Sequence, residues 1–274
     1  FIVNWLYGLY PVLGETPEPY EDLQILQRVD LAMLDTPEPE LAYLFKHIIT
    51  REVAYESLPV ATRQRLHERL AEFLEQTMAG APPVDLLAYH YGHSANRAKE
   101  AHYCALASEL AIRNGAYQDA YAYVQRALAI VAAAPESPER LAQEVGLHLT
   151  LGAILLVIRG QGSAEAKTAY DMARDLGRHL PPGPELSRAL FGMWTYYLFQ
   201  GMMIEAEELA GEALDLAQMA GDPGILIIAH LAMSQTMLWS GKWEACETHT
   251  NRVYELYDPG LHRMYITHYA QNPR

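Results

Sequence analysis

The amino-acid sequence predicts a mainly α-helical protein, in which a small N-terminal domain precedes a stack of helical hairpins. Two observations carry this prediction. A pattern of glycine, short turn and helix recurs along the C-terminal two thirds of the chain, and clusters of proline and glycine separate the recurrences. The composition, 50% hydrophobic and 20% charged over 274 residues, is that of a globular protein.

Residues 1–80 form the predicted N-terminal domain. Its elements are, in order, a short helix near 23–29, strands at 31–34 and 41–47 joined by a turn at 35–39, and an amphipathic helix at 61–78. Thr50 is a good N-cap residue, which predicts that a further helix begins after it. Helix, hairpin and helix in this order are the layout of a small winged-helix domain.

Residues 81–274 form the predicted helical stack. Two helices within 85–111 are expected to cover its N-terminal end, because the first apolar face of a stack must be hidden from water. Each following hairpin has a recognisable second helix. These second helices are predicted near 118–131, 164–176, 204–219 and 244–257.

One small residue marks each of these second helices. Ala120, Ala166, Ala206 and Cys246 follow one another at intervals of 46, 40 and 40 residues. A small side chain at a crossing lets two helices approach to the close end of the usual range, about 8–10 Å. We therefore expect these four side chains to lie where the paired helices cross.

A glycine precedes each of these second helices. Gly115, Gly201 and Gly241 occupy the position in three hairpins, and either Gly160 or Gly162 occupies it in the second. Glycine adopts the left-handed conformation that ends many helices at little cost. The glycines therefore predict where each first helix stops.

This pattern resembles the tetratricopeptide repeat, which has small residues, a glycine and an aromatic residue at fixed positions. Gly152 fills an early small position in the second hairpin, and Tyr117 and Trp243 fill the aromatic position. The period exceeds the roughly 34 residues of the standard motif. The additional residues fall in the links at 135–138, 181–184 and 221–224.

Two further motifs carry a more specific resemblance. Residues 43–58 read Tyr-Leu-Phe-Lys-His-Ile-Ile-Thr-Arg-Glu-Val-Ala-Tyr-Glu-Ser-Leu, and Arg-Gln-Arg-Leu-His follows at 63–67. The run resembles the end of the ATPase module in bacterial signalling proteins that join a class III adenylate/guanylate cyclase domain, an AAA-type (STAND) ATPase and tetratricopeptide repeats. Residues 257–263 and 269–273 resemble a segment that follows several repeats in those proteins, although Ala-Gln-Asn-Pro stands here for the usual Gly-Gln-Asp-Pro.

The resemblance, which covers nearly the whole chain, implies a regulatory segment whose repeats receive a protein partner or a small signal ligand. The ATPase and cyclase domains would then precede it in one longer chain, as a sequence beginning at Phe1 also favours. ATP and magnesium would belong to that parent, and no cofactor to this segment. Related parents carry a protein kinase or a LuxR-type DNA-binding domain in place of the cyclase, and a stand-alone tetratricopeptide adaptor is the alternative.

The resemblance also gives His47 a role. In ATPases of this class a histidine of the winged helix can sense the nucleotide phosphates, which makes His47 the candidate phosphate sensor of this segment. The other interpretation of His47 is a half-buried side chain that packs against Tyr55.

Charge and cysteine content exclude several classes of function. The chain has 20 Lys and Arg against 34 Asp and Glu, a net charge of −14. Such a chain lacks the basic face that nucleic acids and anionic membranes require, and no stretch reaches the roughly 18 apolar residues of a membrane helix. Cys104 and Cys246 stand far apart, which favours a reducing, cytoplasmic compartment.

The sequence offers no convergent set of catalytic residues. The phosphate-binding Gly-x-x-x-x-Gly-Lys-[Ser/Thr] loop is missing from the segment, so whether the protein is an enzyme depends on its parent. His90 and His93 share a helix face, with His102 nearby, and suit either a metal or simple packing.

Five residues form the candidate interaction surface. Trp194 and Tyr197 would either anchor a bound peptide or fill the core between repeats. Asp258, His262 and Arg263 would either act together in binding or form a helix cap with its ion pair.

Overall fold

The computed structural model describes residues 2–9, 19–36, 41–78, 80, 82–180 and 184–261. The chain divides into two units, Phe1–Ala107 and Ser108–Arg274. The elements of the first unit are the helices α1 (Val3–Leu9) and α2 (Pro19–Arg28), the strands β1 (Ala32–Thr36) and β2 (Ala42–Phe45), and the helices α3 (Ile48–Glu56), α4 (Val60–Thr77), α5 (Val84–Gly92) and α6 (Arg97–Arg113), the last of which continues into the second unit.

The two strands form an antiparallel hairpin between helices, in the order that the sequence predicted. Met33 pairs with Leu44 and Leu34 with Tyr43, and the register shifts between Leu34 and Thr36. Most of the predicted turn, residues 37–39, lies outside the described residues. The winged-helix assignment of this unit and the domain boundary at residue 80 stay predictions.

Helix α3 begins two residues earlier than its predicted N-cap. His47, in an extended conformation, is the N-cap, and its carbonyl accepts the backbone N–H groups of Thr50 at 3.1 Å and Arg51 at 3.4 Å. Thr50 therefore lies in the first turn of the helix. The prediction that Thr50 caps α3 is wrong, because the chain turns directly from β2 into the helix.

The hairpin and its neighbouring helices have a small core. Val3, Leu23, Ala32 and Tyr43 form it. Helix α3 contributes nothing to the buried set, since none of its residues is buried. Its apolar side chains therefore lie at the surface of this unit.

The second unit is a tetratricopeptide-like α-solenoid, as the sequence predicted. Its remaining elements are α7 (Tyr117–Ala132), α8 (Pro138–Arg159), α9 (Ala164–Gly177), α10 (Pro184–Phe199), α11 (Met203–Ala220), α12 (Pro223–Trp239), α13 (Trp243–Leu256) and the 3-10 turn Pro259–Leu261. Helix α10 contacts α8 and α12 as well as α9 and α11. First helices of successive hairpins thus pack on one another, as in stacked repeats.

The turns of three hairpins have the same geometry. Glycine has a positive φ of 73–74° in each, at positions 115, 201 and 241. The residue after the glycine donates its backbone N–H to a carbonyl five residues back: Ala116 to Ala111 at 2.8 Å, Met202 to Tyr197 at 2.9 Å and Lys242 to Met237 at 2.8 Å. This is the Schellman arrangement that closes a helix at a left-handed glycine.

The second hairpin uses a different turn. Gly160, with φ of 95°, ends α8. The Ser163 hydroxyl then accepts the N–H of Ala166 and caps α9. Of the two glycines that the sequence left open, Gly160 is therefore the one in the positive-φ conformation.

Three of the four predicted small residues are fully buried in the helical stack. Ala120, Ala166 and Ala206 have no exposed surface, as residues at a close helix crossing should. Cys246 lies on α13, the last described helix, and is half-buried.

Helix α8 corrects one expectation from the sequence. By length and composition it is long and apolar enough to cross a membrane, with a mean hydropathy of 1.8 over its most apolar window. It packs against α7, α9 and α10, and a core helix of a stack passes the same test. Its buried Glu144 is paired with Arg140 at 2.8 Å, as a buried charge requires.

Candidate functional site

A cleft of about 260 Å³ opens on the second unit, between the first helices of three consecutive hairpins. Helices α8, α10 and α12 form its walls, and Tyr170 reaches it from α9. The lining residues are Leu149, Ala153, Leu156, Val157, Gln161, Tyr170, Pro184, Ser187, Arg188, Phe191, Thr195, Ile225 and Ile228.

The lining is apolar with a few polar groups, and its charged group is positive. Arg188 is the cation, and the lining includes no carboxylate, although the chain has 34 acidic residues. Gln161, Ser187, Thr195 and the Tyr170 phenol supply the other polar atoms. An apolar cleft with a small number of placed polar groups is the usual form of a binding site.

Two glycines position Tyr170. A Cβ added at Gly152 on α8 would lie 2.6 Å from the Cζ atom of Tyr170, and one added at Gly192 on α10 would lie 2.4 Å from the same atom. Real Cβ atoms do not approach a ring this closely, so any larger residue at either position would collide with it. The tyrosine ring therefore passes between α8 and α10 through a gap that exists because neither Gly152 nor Gly192 has a side chain.

The hydroxyl of Tyr170 has no hydrogen-bond partner among the described residues. The side chain is only 6% exposed, and the residue lines the cleft. Burial raises the pKa of the Tyr170 phenol well above its usual value, and the nearby Arg188 guanidinium opposes that rise. The hydroxyl is therefore a protonated donor at neutral pH.

Arg188 extends from α10 beside the same cleft. It is exposed, and no carboxylate of the described residues lies within ion-pair distance of it. In the same unit Arg140 lies 2.8 Å from Glu144 and Lys167 lies 2.7 Å from Asp171, whereas the exposed Arg178, like Arg188, has no ion pair among the described residues. The guanidinium of Arg188 is thus available to an anion.

Trp194 lies in the core and not on the cleft surface. Its side chain is 3% exposed, and its indole Nε1 donates a hydrogen bond to Thr236 Oγ1 at 2.8 Å. The placement corrects the assignment of Trp194 to the interaction surface. Trp194 fills the space between α10 and α12. This core role is the alternative that the sequence allowed.

Tyr197 and Asp258, the other described members of the predicted surface, are not part of the cleft lining. Tyr197 is half-buried, with Lys167 Nζ 5.4 Å above its ring centroid. Asp258 is exposed and accepts the Gly260 N–H at 2.7 Å, as in the helix cap that the sequence gave as one of two explanations. His262 and Arg263, like the motif at 269–273, lie outside the described residues.

A cluster of histidines forms in the first unit, between α4 and α5. The Nδ1 atoms of His67 and His90 lie 2.8 Å apart, and the rings of His67 and His93 stack with centroids 5.0 Å apart. The Tyr55 hydroxyl lies 3.0 Å from His67 Nε2. The sequence grouped His102 with His90 and His93, but the third member is His67.

Burial lowers the pKa of both paired imidazoles. The pKa of His67 falls to about 4 through burial and the neighbouring His93 and Arg63, and the pKa of His90 falls to about 4 through burial and the other two histidines. The pair is therefore neutral at pH 7, and one Nδ1–H donates to the other Nδ1. Within the described residues no group of three potential ligands has the geometry to hold a metal ion.

His47, the candidate phosphate sensor, is exposed at the start of α3. The alternative that it packs half-buried against Tyr55 is wrong. The Tyr55 ring instead contacts His67, and the guanidinium of Arg63 lies 4.8 Å from its centroid.

Comparison with solved structures finds similar folds. The crystal structure of BtubC (BKLC) from P. vanneervenii matches with a TM-score of 0.56 and 17% identity, over 82% of this chain and 89% of that chain. The structure of YrrB, described as a TPR protein with an unusual peptide-binding site, matches with a TM-score of 0.45 and 15% identity, over 82% of this chain and 99% of that chain. No model of a known protein family matches the chain, and no curated protein sequence matches it.

Proposed function

We propose that the second unit binds a segment of a partner protein in the cleft between α8, α10 and α12. The tetratricopeptide-like fold itself suggests protein interaction. The observation that carries the proposal is the cleft: an apolar surface, shared by three consecutive hairpins, on which Arg188 and the Tyr170 hydroxyl lack partners within the described chain.

The dimensions of the cleft suit an extended segment. Neighbouring helices lie about 8–10 Å apart, so a path from α8 to α12 is roughly 20 Å long. An extended chain covers about 3.3 Å per residue, and about six residues would span it. The volume near 260 Å³ admits a few apolar side chains of such a segment.

A blocking substitution tests this site. Ala153 lines the cleft from α8 and is exposed, so Ala153→Trp should fill the cleft without disturbing the core. Ala122 on α7 is also exposed and lies outside the lining, which makes Ala122→Trp the matched control.

The experiment selects peptides from a displayed random library on the purified segment and measures their affinities by fluorescence anisotropy. The proposal expects Ala153→Trp to weaken binding at least about tenfold, a loss of about 1.4 kcal/mol, and Ala122→Trp to leave it unchanged. Equal affinities for both variants, or a library that yields no binding peptide, would contradict it.

We further propose that this segment regulates a bacterial signal-transduction ATPase in the cytoplasm, linked to a class III adenylate/guanylate cyclase. The resemblance of residues 43–67 supports this parent. The surface of α3 also supports it, because Ile48, Ile49 and Val53 are more than 60% exposed. Apolar side chains exposed together usually mark a surface that another domain covers.

The gene sequence upstream of Phe1 tests this proposal. A phosphate-binding loop encoded within a few hundred residues upstream would support the ATPase parent, with ATP and magnesium bound there and not in this segment. An initiator methionine next to Phe1 would favour the stand-alone adaptor. In the parent, His47→Ala should weaken nucleotide discrimination if His47 senses the phosphates, whereas ATP should leave the melting temperature of the isolated segment unchanged.

A further inference from the structure

We propose that the cleft selects partner segments in which an acidic side chain adjoins a large apolar residue. This inference rests on the proposed function and names the chemistry of the partner. The carboxylate would accept hydrogen bonds from the Tyr170 hydroxyl and the Arg188 guanidinium, while the apolar neighbour would enter the cleft against Phe191 and Ile225.

The Tyr170 hydroxyl is the first argument. Its ring is held between Gly152 and Gly192 and cannot swing away, so the direction of the hydroxyl is fixed. None of the described residues accepts a hydrogen bond from this hydroxyl, and the oxygen is not among the buried atoms that lack a partner, so it opens onto the cleft. An acceptor on a segment that enters the cleft can therefore bond to this donor directly.

Charge is the second argument. The chain carries a net charge of −14, yet the cleft lining holds one arginine and no acidic residue. Arg188 therefore supplies a positive charge to a small apolar surface on an acidic protein. Such a surface attracts an anion, whereas the net negative charge of the chain opposes the approach of a second copy.

The position of Tyr170 identifies the source of the carboxylate. The ring emerges between α8 and α10, whereas the lining continues to α12. A segment that covers the whole cleft passes the hydroxyl with residues on both sides. The carboxylate at that point thus belongs to an aspartate or glutamate side chain and not to a chain terminus.

The test uses nonapeptides with blocked ends, synthesised in pairs on an array. The members of a pair differ only by Glu against Gln, or Asp against Asn, next to Leu, Phe or Trp. Binding to the whole segment is measured by fluorescence anisotropy for the pairs that bind. A charge-assisted hydrogen bond contributes about 1.5–3 kcal/mol, so the acidic member should bind at least about tenfold more tightly.

Three variants test which residues cause the preference for the acidic peptide over the amide peptide. Arg188→Gln should abolish the acid-over-amide preference, and Tyr170→Phe should reduce it about threefold to tenfold while the melting temperature is retained, because the ring remains. Arg178→Gln removes the same charge at an exposed position outside the lining and should keep the full preference.

The outcomes separate this inference from the proposed function. Pairs that bind equally, but lose binding in Ala153→Trp, would overturn the carboxylate preference and leave the proposed function intact. Binding that requires a free C-terminus would overturn the choice of a side-chain carboxylate. Absence of binding by every peptide would overturn both proposals.

Discussion

Helices α10 and α3, one from each unit, bury their residues to very different extents. Helix α10 of the repeat unit buries six residues, glycine and alanine among them. Helix α3 of the N-terminal unit buries none and exposes three large aliphatic side chains. Small residues let the repeat helices approach closely, whereas the helices around the hairpin have no comparable set. Helix α10 thus buries one face within its own unit, and helix α3 leaves its apolar side chains exposed.

The largest expected effect tests the core of the repeat unit. Trp194→Ala should cost about 3–5 kcal/mol of unfolding free energy, because it leaves a cavity and removes the hydrogen bond to Thr236. Trp243→Ala is the matched control, since that indole is 66% exposed. Urea denaturation measures both. Similar losses for the two variants would contradict the contrast between core and surface.

A smaller effect is expected from the glycines around Tyr170. Gly192→Ala places a methyl group 2.4 Å from the ring and should cost about 1–3 kcal/mol through overpacking. Gly211 lies in α11 with nothing within 4 Å of an added Cβ, so Gly211→Ala should stabilise the chain by about 0.5–1 kcal/mol. A lower urea midpoint for Gly192→Ala and a higher one for Gly211→Ala would confirm that the Tyr170 ring passes close to Gly192. A stabilised Gly192→Ala would contradict this placement.

Acid should weaken the N-terminal unit through its histidine pair. The unfolded chain takes up protons near pH 6.5, but folded His67 and His90 resist protonation until about pH 4. Stability is therefore lost as the pH falls through that interval. Because the His67 side chain is only half-buried, solvent screens part of the effect, and the loss attributable to the pair is about 1 kcal/mol.

A variant isolates this contribution. His67→Gln should lose less stability than the natural chain between pH 7 and pH 4.5, as followed by urea denaturation at each pH. His102→Gln, at an exposed position outside the cluster, should behave like the natural chain. Identical pH profiles for all three proteins would show that the pair does not titrate as described.

The smallest expected effect concerns the surface of α3. Ile49 is 68% exposed, so Ile49→Ser should change the unfolding free energy of the segment by less than about 0.5 kcal/mol. The buried control Leu23→Ala should cost about 2–5 kcal/mol. A large loss from Ile49→Ser would mean that α3 already packs against its own chain.

Sequence periodicity predicted the repeat unit well because its determinants are local. A glycine with positive φ and an alanine at a crossing, such as Gly201 and Ala206, are visible in one sequence. Gly192 was missed, although it follows Gly152 by the same 40 residues that separate Ala166 from Ala206.

The candidate site was harder to predict because it depends on packing between distant elements. Periodicity identifies Tyr170 as a repeat position. It does not predict that the Tyr170 hydroxyl emerges between two other helices. Likewise, the meeting of His67 with His90 depends on how α4 crosses α5. Trp194 was ambiguous because an aromatic residue on a helix has the same sequence signal in a core and on a surface.

Because the Tyr170 ring passes between two glycines, residues outside the proposed binding surface set the position of its hydroxyl. Neither glycine needs to touch a bound partner, yet together they decide where the donor oxygen stands. A change in the spacing of α8 and α10 would displace that oxygen even if every group facing the partner stayed the same. We therefore expect related chains with different binding preferences to differ at interior positions 152 and 192 as well as in the cleft lining.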